Sequence, residues 1–448
     1  MGDGNVTVGL DIGTTSVKGL AVDDDGLVLA QVRVPHPIGI PTPDRFEHDA
    51  NQAWRDGVRQ AWREVSAGLD PVAVNVVAMT PSLAAVDARG HALTPGLLYG
   101  DQRGRRAGRP TGAPGDVGEL LGFLGWCREQ APGAAGFWPA QAVANHALGG
   151  EGAMDSISAM SAYPLFDGQG WDSDLLAESG VSADRLPRVV NSDTAIGEID
   201  GAAIGPGGID AFGEQLVAGA EAPGDVLVIC GTTLITWIVT DEWIEVPGLW
   251  TIPHSTPGLT LVGGPSNAGG LFLNWATHLL ARGDDPLPDR VPVWSPYVRG
   301  ERTPLHDPDR RAAVDGLDLT HGAGALRRAA FEAAGFVVRH HLDLAGVPAN
   351  RLVLTGGGTR VPEWVQALAD GTGLPADVVA VPEGGALGSA FFARLAAGLE
   401  TDATAARRWA RTDRRVEPDP AWADACATRY QRFRQLADAR PPNPGSGT

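Results

Sequence analysis

The sequence predicts an α/β protein built from two similar domains. Its 448 residues are enough for about two or three domains of ordinary size. Its composition, 43% hydrophobic and 20% charged, is that of a globular chain and not of a disordered one. Residues 13–22 recur in modified form at 231–239, about half the chain later, and each copy follows a short apolar strand. This internal repeat predicts two domains that each carry a Gly-Thr-Thr turn.

The first elements are predicted to form three successive antiparallel strands. Residues 6–10 and 17–22 are short, apolar and rich in β-branched side chains, as is typical of strands. Between them, residues 11–16 make a tight polar turn, and residues 23–26 turn the chain into a third strand over 27–34. A meander of this kind differs from the strand-to-helix layout of a P-loop.

A stretch rich in Gly, Ala and Pro over residues 201–224, with a short helix predicted at 212–220, marks the candidate domain boundary. We therefore expect an N-terminal domain over 1–220, a C-terminal domain over 221–440 and a frayed tail over 441–448. The later elements predicted from periodicity are strands at 226–230, 351–355 and 377–381, helices at 323–344, 361–370 and 386–397, and a glycine turn at 356–358.

Charge and composition exclude several classes of protein. The net charge of −19 gives a surface that repels nucleic acid and anionic membranes, so neither is expected as a partner. No run approaches the ~18 apolar residues of a membrane span, and the first residues lack the layout of a signal peptide, so a cytoplasmic location is expected. Cys127, Cys230 and Cys426 lie far apart, which predicts three reduced thiols and neither a disulfide framework nor a zinc site.

The repeated turns have the composition of a phosphate site. Such a site needs outward backbone N–H groups, glycine for close approach and hydroxyls that donate to phosphate oxygens. Two sets of residues supply these groups, namely Gly13, Thr14 and Thr15 in the first copy and Gly231, Thr232 and Thr233 in the second. Two such turns facing one cleft would grip one polyphosphate. The alternative is that both turns merely close ordinary hairpins.

Three charged residues could complete such a site. Asp11 opens the first turn, where a carboxylate would hold Mg²⁺ directly or through water. Lys18 is the single lysine among 35 basic residues, which makes it a candidate for a site that needs a compact ammonium group. Asp210 follows two glycines just before the predicted boundary helix. It is either the helix N-cap or the base that removes a hydroxyl proton during phosphoryl transfer.

Together these residues resemble the FGGY carbohydrate kinases of the sugar kinase, Hsp70 and actin superfamily, and xylulokinases most closely. The resemblance runs over nearly the whole chain. Its motifs are residues 8–18 and 231–233 for the two phosphate motifs, 207–210 for the G-G-x-D segment with the catalytic base, 295–304 for the S/L-P-Y-x-x-G-E-R-x-P stretch, 316–332 for the second family signature, and 354–358 with Trp364 and Gln366 for the adenosine motif.

The resemblance implies a fold and a reaction. The fold would be two actin-like (ribonuclease H-like) domains around a central cleft. The reaction would transfer a phosphoryl group from ATP·Mg²⁺ to a hydroxyl of a small-molecule sugar or polyol. Asp210 would be the base, the two Gly-Thr-Thr turns would hold the β- and γ-phosphates, and Lys18 would add positive charge near the transferred group. The adenosine motif would contribute Gly356, Gly357 and Gly358 to ATP binding. A homodimer is compatible with this assignment.

The acceptor site departs from the family pattern. Residues 99–103 are similar to a W-x-D-x-R segment, which implies that Asp101 and Arg103 border the sugar. Thr80 and Pro81 occupy the two positions that read the sugar, Met-His in xylulokinases and Arg-Glu in glycerol kinases. Because proline has no N–H donor, this pocket must recognise hydroxyls differently. Residues 104–152 are shortened, and Pro139, Ala140 and Gln141 stand where the first family signature has a lysine.

Because of these departures the sequence does not identify the sugar. Two further hypotheses about the function also stay open. One is a catalytically silent, nucleotide-binding regulator derived from a sugar kinase, which a lost sugar site would favour. The other is an ATP-driven chaperone or filament protein of the same superfamily. The presence of Asp210 argues against the regulator, and the presence of Asp101 and Arg103 argues against the chaperone or filament.

Overall fold

The chain folds into two compact units. A computed structural model describes residues 4–42, 44–104, 118–280 and 290–438. The first unit combines residues up to 217 with residues 383–410, and the second combines residues 218–382 with the chain from 411 onward. The break at 217 lies close to the predicted boundary at 220. Residues 383–410, assigned above to the second domain, pack instead with the first, which makes the first unit discontinuous in sequence.

The strands are numbered here in chain order. They are β1 (Val6–Ile12), β2 (Ser16–Val22), β3 (Val28–Pro35), β4 (Glu47–His48), β5 (Pro71–Ala78), β6 (Ser82–Val86), β7 (Gly96–Leu98), β8 (Gly136–Trp138), β9 (Ala153–Asp155), β10 (Arg188–Val190), β11 (Glu198–Ile199), β12 (Ala202–Ile204), β13 (Gly208–Ile209), β14 (Asp225–Cys230), β15 (Leu234–Thr240), β16 (Trp250–Pro253), β17 (Thr260–Ser266), β18 (Val293–Ser295), β19 (Ala313–Asp315), β20 (Arg351–Thr355), β21 (Ala376–Val379) and β22 (Thr412–Val416).

The α-helices follow the same convention. They are α1 (Gly57–Val65), α2 (Glu119–Gln130), α3 (Ala140–Leu148), α4 (Ser156–Met160), α5 (Ser173–Ser179), α6 (Asp210–Ala218), α7 (Gly270–Leu279), α8 (Ala323–Ala345), α9 (Pro362–Thr372), α10 (Gly384–Ala396) and α11 (Ala423–Asp438).

The main sheet of the first unit runs in the order β11-β12-β5-β1-β2-β3. Strands β1, β2 and β3 pair antiparallel, which confirms the predicted meander. Strand β5 pairs parallel to β1, and β12 and β13 pair parallel to β5. Because parallel strands end at the same edge of a sheet, the segments that follow β1, β5 and β13 leave the sheet side by side.

The main sheet of the second unit repeats this arrangement in the order β16-β17-β15-β14-β20-β21-β22. An antiparallel hairpin, β14–β15, again stands in the centre, and the parallel strands β20 and β21 follow it. Strands β17-β15-β14-β20-β21 thus correspond in order to β3-β2-β1-β5-β12 of the first unit. The internal sequence repeat is therefore also a repeat of topology.

Helix α10 covers the central strand of the first sheet, although the two are far apart in sequence. Thr7 and Asp11 of β1, which lie on the same face as Gly9, are buried. A Cβ on Gly9 would lie 1.9 Å from the carbonyl oxygen of Ala386 in α10, so glycine is needed for the helix to lie this close to the strand. The contact explains why residues 383–410 belong to the first unit.

Most elements predicted from periodicity are present, with ends shifted by a few residues. The helix predicted at 212–220 is α6, the one at 323–344 is α8, and the strand at 377–381 is β21. Cys127, Cys230 and Cys426 are all buried. Among the described helices, none has the length and hydropathy required to cross a membrane. The tail at 441–448 and residues 105–117 of the shortened segment lie outside the described residues.

Candidate active site

Several predicted site residues of the first unit lie near the carboxyl ends of β1, β5 and β13. Ala78 of β5 is the register partner of both Ile12 and Ile209. The residues that follow these strands are Gly13, Met79 and Asp210, and Met79 N donates to the carbonyl of Ile12 at 3.3 Å. This edge of a parallel sheet is where open α/β folds bind ligands.

Asp11 and Lys18 form an ion pair across the first hairpin. They are direct register partners on β1 and β2, and Lys18 Nζ lies 2.9 Å from Asp11 Oδ2. The nearby carboxylate raises the pKa of Lys18, first through its charge, so the ammonium group stays protonated. The second carboxylate oxygen, Asp11 Oδ1, is buried and has no hydrogen-bond partner among the described residues. The pair therefore offers one cation and one unused oxygen.

Asp210 is the first residue of α6 and lies close enough to Asp11 and Lys18 to feel both charges. Burial, followed by repulsion from Asp11, raises its pKa to about 6, and Lys18 acts in the opposite direction. Its Oδ1 accepts a hydrogen bond from the N–H of Ala211 at 2.8 Å. An N-cap side chain instead accepts from an N–H two or three residues further on, and α6 already begins at Asp210, so this contact is not that of an N-cap.

Two further acidic residues lie near Lys18 and were not predicted. Glu214 and Glu383 both add to the electrostatic stabilisation of the protonated ammonium. Glu214 lies four residues after Asp210 in α6, and this spacing puts the two on one helix face, so the sequence held a usable signal. Glu383 immediately precedes α10, and no local pattern shows that this segment returns to the first unit.

Buried Trp54 and His48 support the first Gly-Thr-Thr turn through a chain of hydrogen bonds. Trp54 Nε1 donates to His48 Nδ1 at 3.0 Å, so the proton of the neutral imidazole must be on Nε2. Nε2 then donates to the carbonyl of Thr14 at 2.9 Å. Burial, followed by the neighbouring His36, lowers the pKa of His48 to about 4, which keeps the ring neutral. Thr15 remains exposed at the tip of the turn.

The same turn contacts the segment expected to border the sugar. The hydroxyl groups of Thr14 and Tyr99 lie 3.3 Å apart. Asp101, two residues after Tyr99, is fully buried and receives hydrogen bonds from Arg103 Nε and Nη2 at 2.8 and 2.7 Å and from the N–H of Phe46 at 2.6 Å. Arg103 Nη2 also binds Glu47 at 2.8 Å. Asp101 thus anchors Arg103 within its own unit.

Thr80 and Pro81 follow Met79, the residue after β5, near the same sheet edge as Asp210. Thr80 is partly exposed and Pro81 is buried. The next residue, Ser82, accepts a hydrogen bond at its Oγ from the N–H of Ala140, the first residue of α3. The start of α3 is therefore fixed against the segment that carries Thr80 and Pro81.

In the second unit, the turn at Gly231, Thr232 and Thr233 joins β14 to β15. The N–H groups of Gly270 and Leu271 in α7 donate to the carbonyls of Gly231 and Thr232, at 2.8 and 3.2 Å. The start of α7 is therefore held against the carbonyl groups of the turn. Thr232 is partly exposed, whereas Thr233 is buried.

The glycine turn at 356–358 lies beside the second Gly-Thr-Thr turn, because β14 and β20 are parallel neighbours. Gly356 has φ of +88° and abuts the backbone of Cys230, the residue before Gly231. Gly358 lies against the indole ring of Trp364, and Gly357 is exposed. The second unit therefore places the second Gly-Thr-Thr turn next to the glycine turn of the expected adenosine motif.

The donor set around Asp11 fits Mg²⁺ that is held mainly by phosphate. No group of three or more potential ligands from His, Cys, Asp and Glu is gathered among the described residues. Mg²⁺ commonly binds through one or two carboxylates together with substrate phosphates and water. The buried, unpartnered Oδ1 of Asp11 is a hard oxygen ligand of this kind. The residues present thus fit the metal only together with a phosphorylated ligand.

Family models match both parts of the chain. The N-terminal domain of the FGGY family of carbohydrate kinases matches residues 6–109, and the C-terminal domain of the same family matches residues 226–397. The chain belongs to the FGGY family of carbohydrate kinases. The resemblance inferred from the motifs is thereby confirmed, as is the assignment of the chain as an enzyme of the carbohydrate kinase type.

Curated relatives and a solved structure place this FGGY kinase among enzymes with different acceptors. Xylulose kinase of Escherichia coli K12 is 26% identical, over 88% of this chain and 90% of the relative. Gluconokinase of Bacillus subtilis strain 168 is 24% identical, over 81% and 82%. The crystal structure of xylulose kinase from Rhodospirillum rubrum has 26% identity and a TM-score of 0.75, over 96% of this chain and 98% of that one. The α/β, actin-like fold class is confirmed, and FGGY kinases use ATP.

Proposed function

We propose that this FGGY kinase transfers the γ-phosphoryl group of ATP to a hydroxyl of a small sugar or polyol, in the manner of a xylulokinase, with Asp210 as the general base. The observation that carries the proposal is the raised pKa of Asp210, about 6, beside Asp11 and Lys18. A carboxylate of this pKa is a stronger base than an ordinary aspartate and is still ionised at neutral pH. It lies at a sheet edge that also carries a Gly-Thr-Thr turn.

In the proposed reaction the acceptor oxygen attacks the γ-phosphorus as Asp210 takes its proton, and the bond to the leaving ADP breaks. Lys18 holds a fixed positive charge next to Asp11, where negative charge on the transferred group is stabilised. The N–H groups and hydroxyls of Gly13, Thr14 and Thr15 and of Gly231, Thr232 and Thr233 bind the β- and γ-phosphates. Gly356, Gly357 and Gly358 accommodate the adenosine.

Asp11 Oδ1 is the atom proposed to hold Mg²⁺, directly or through water. When bound, Mg²⁺ would neutralise phosphate charge. Thr80, Pro81, Asp101 and Arg103 are proposed to border the acceptor, with Asp101 acting by holding Arg103 in place. The protein is proposed to act in the cytoplasm on a small molecule. It could carry out this reaction as a homodimer.

The experiment is ADP release from the purified protein with ATP and Mg²⁺ over a panel of pentuloses, hexuloses, aldoses, aldonates and polyols, with Asp210→Asn in parallel. We expect one class of acceptor to be phosphorylated and the Asp210→Asn variant to retain ATP binding but lose at least about a thousandfold in kcat. Asp210→Asn keeps an oxygen that can accept from Ala211, so a loss of activity is not a loss of this hydrogen bond.

Full activity of Asp210→Asn would refute the assignment of the base. Silence of the wild-type protein across the panel, with ATP binding intact, would instead favour the nucleotide-binding regulator.

A further inference from the structure

The side chain of Gln141 is a fully buried amide near the proposed site, and neither of its polar atoms is satisfied. Its residue is 0% exposed, and neither Oε1 nor Nε2 has a hydrogen-bond partner among the described residues. Burying an amide without partners is unfavourable, so such groups in folded proteins usually meet a ligand or ordered water. Here one side chain presents a donor and an acceptor that the described part of the protein leaves unused.

The fold holds Gln141 between the two segments that carry acceptor-site residues. It is the second residue of α3, whose first N–H is bound to Ser82, directly after Thr80 and Pro81. On its other side lies Gly207, which precedes Asp210 by three positions. A Cβ on Gly207 would lie 3.1 Å from both Cβ and Cγ of Gln141, and Gly207 has φ of +100°, so glycine is required at this contact.

The next turn of α3 carries a second buried amide, Asn145, whose Nδ2 has hydrogen-bond partners although its Oδ1 has none among the described residues. Asn145, also fully buried, donates from Nδ2 to the carbonyls of Ala153 and Pro206, at 3.1 and 2.8 Å. Asn145 thus ties the helix to the strand leading to Asp210 by its own hydrogen bonds. Gln141, one turn closer to the segment of Thr80, makes no such bond among the described residues.

We infer that Gln141 is a specificity-determining residue that binds an uncharged hydroxyl or carbonyl group of the acceptor through both atoms of its amide. A carboxamide is neutral and offers one acceptor and one donor side, which matches a hydroxyl or a hydroxyl–carbonyl pair. A carboxylate on the acceptor would be repelled by the oxygen of the Gln141 amide, and Gln141 itself carries no positive charge to offset this repulsion. The inference rests on the proposed function and selects neutral ketoses and polyols over sugar acids as its substrate class.

The test uses Gln141→Leu, which keeps the volume but removes both polar atoms, and Gln141→Glu, which keeps the shape and adds a charge. For the best neutral acceptor, we expect Gln141→Leu to raise KM about tenfold, to leave the KM for ATP within twofold, and to leave Tm unchanged or higher. Deoxy analogues of that acceptor, measured on both proteins, should identify one hydroxyl or carbonyl whose removal no longer weakens binding once the amide is gone.

Asn145→Leu is the matched control, because it removes from the same helix a buried amide whose Nδ2 donates two known hydrogen bonds. It should lower Tm and leave the acceptor KM within twofold. If Gln141→Leu behaves like this control, Gln141 is structural and the inference is wrong. It is equally wrong if the preferred acceptor is a sugar acid whose KM does not change in Gln141→Leu or Gln141→Glu.

Calorimetric binding of the same panel, without ATP, separates this inference from the proposed function. Binding that Gln141→Leu weakens about tenfold, in a wild-type protein without turnover, would support the inference and refute the kinase reaction. Turnover with an unchanged acceptor KM in Gln141→Leu would support the kinase and refute the inference. Absence of binding and of turnover for every sugar and polyol would overturn both.

Discussion

Lys18 Nζ lies 2.9 Å from Asp11 Oδ2, and the two residues face each other as register partners across the first hairpin. Lys18, the single lysine of the chain, attracts the carboxylate of Asp11. Its charge also opposes the rise in the pKa of Asp210 that burial and Asp11 cause. The charges at this sheet edge are therefore coupled, and changing one should alter the titration of another.

The first prediction concerns pH. Only the ionised form of Asp210 can accept a proton, and its pKa in the free protein is about 6. We expect kcat/KM for the acceptor to be flat above about pH 7 and to fall about tenfold per pH unit below about pH 6. Initial rates at saturating ATP over this range give the profile. An acid limb near the ordinary aspartate value, about 4, would contradict the proposed environment of Asp210.

The second prediction concerns the ammonium group. Lys18→Met removes the charge that lowers the pKa of Asp210, so the acid limb of the same profile should move to higher pH. We expect kcat to fall about a hundredfold as well, because a fixed cation near the transferred group is lost. Lys18→Arg is the control, since it keeps the charge and should leave the acid limb in place. An unmoved limb in Lys18→Met would show that the two residues are not coupled.

The third prediction concerns stability at acid pH. His48 has a pKa of about 4 in the folded protein and about 6.5 when unfolded, so between these values the unfolded chain binds one more proton. The neutral His48 contributes to the free energy of unfolding above about pH 6.5, and this contribution is lost as the pH falls towards 4. At pH 5 the loss is about 2 kcal/mol. Urea unfolding at pH 7 and pH 5 measures the loss.

His48→Gln is the matched variant for that measurement. A glutamine can accept from Trp54 and donate to Thr14, as the neutral histidine does, but it does not titrate. The difference in unfolding free energy between the two pH values should be about 2 kcal/mol smaller in the variant. Equal differences in the two proteins would mean that His48 is not held neutral by burial.

The fourth prediction concerns Asp101. Asp101→Asn removes the charge from a fully buried group that binds Arg103 through two oxygens. Because it leaves a buried arginine with only Glu47 as an ionic partner among the described residues, we expect a loss of about 3 kcal/mol in the free energy of unfolding. Thermal unfolding measures this, and the acceptor KM measured alongside tests the proposed place of Arg103 beside the sugar. An unchanged Tm would refute the anchoring role.

Local patterns in the sequence were sufficient for the parts of the site that depend on neighbouring strands. Asp11 and Lys18 flank one tight turn, so their pairing follows from the hairpin alone. The Gly-Thr-Thr repeat predicted two units, and the two sheets share their strand order. Asp210 lies at the start of a helix in both the prediction and the structure.

The remaining contacts depend on chain paths that no local pattern records. Glu383 reaches Lys18 because residues 383–410 return to the first unit, far from their position in sequence. Trp54 and His48 support the turn from a neighbouring element, and their residue types alone indicate only a buried aromatic cluster. The unsatisfied amide of Gln141 is likewise a property of packing, which the sequence shows only as part of the segment that stands where the family signature has a lysine.

The route of the chain through the two units has a consequence for biosynthesis. Strand β1 is synthesised well before α10, which covers the face of β1 that carries Gly9 and is made only after nearly the whole second unit. The N-terminal segment therefore cannot complete its core while it is being synthesised, although domains usually fold in order from the N-terminus. Until Ala386 is available to cover Gly9, one face of the sheet in the nascent first unit stays exposed to solvent.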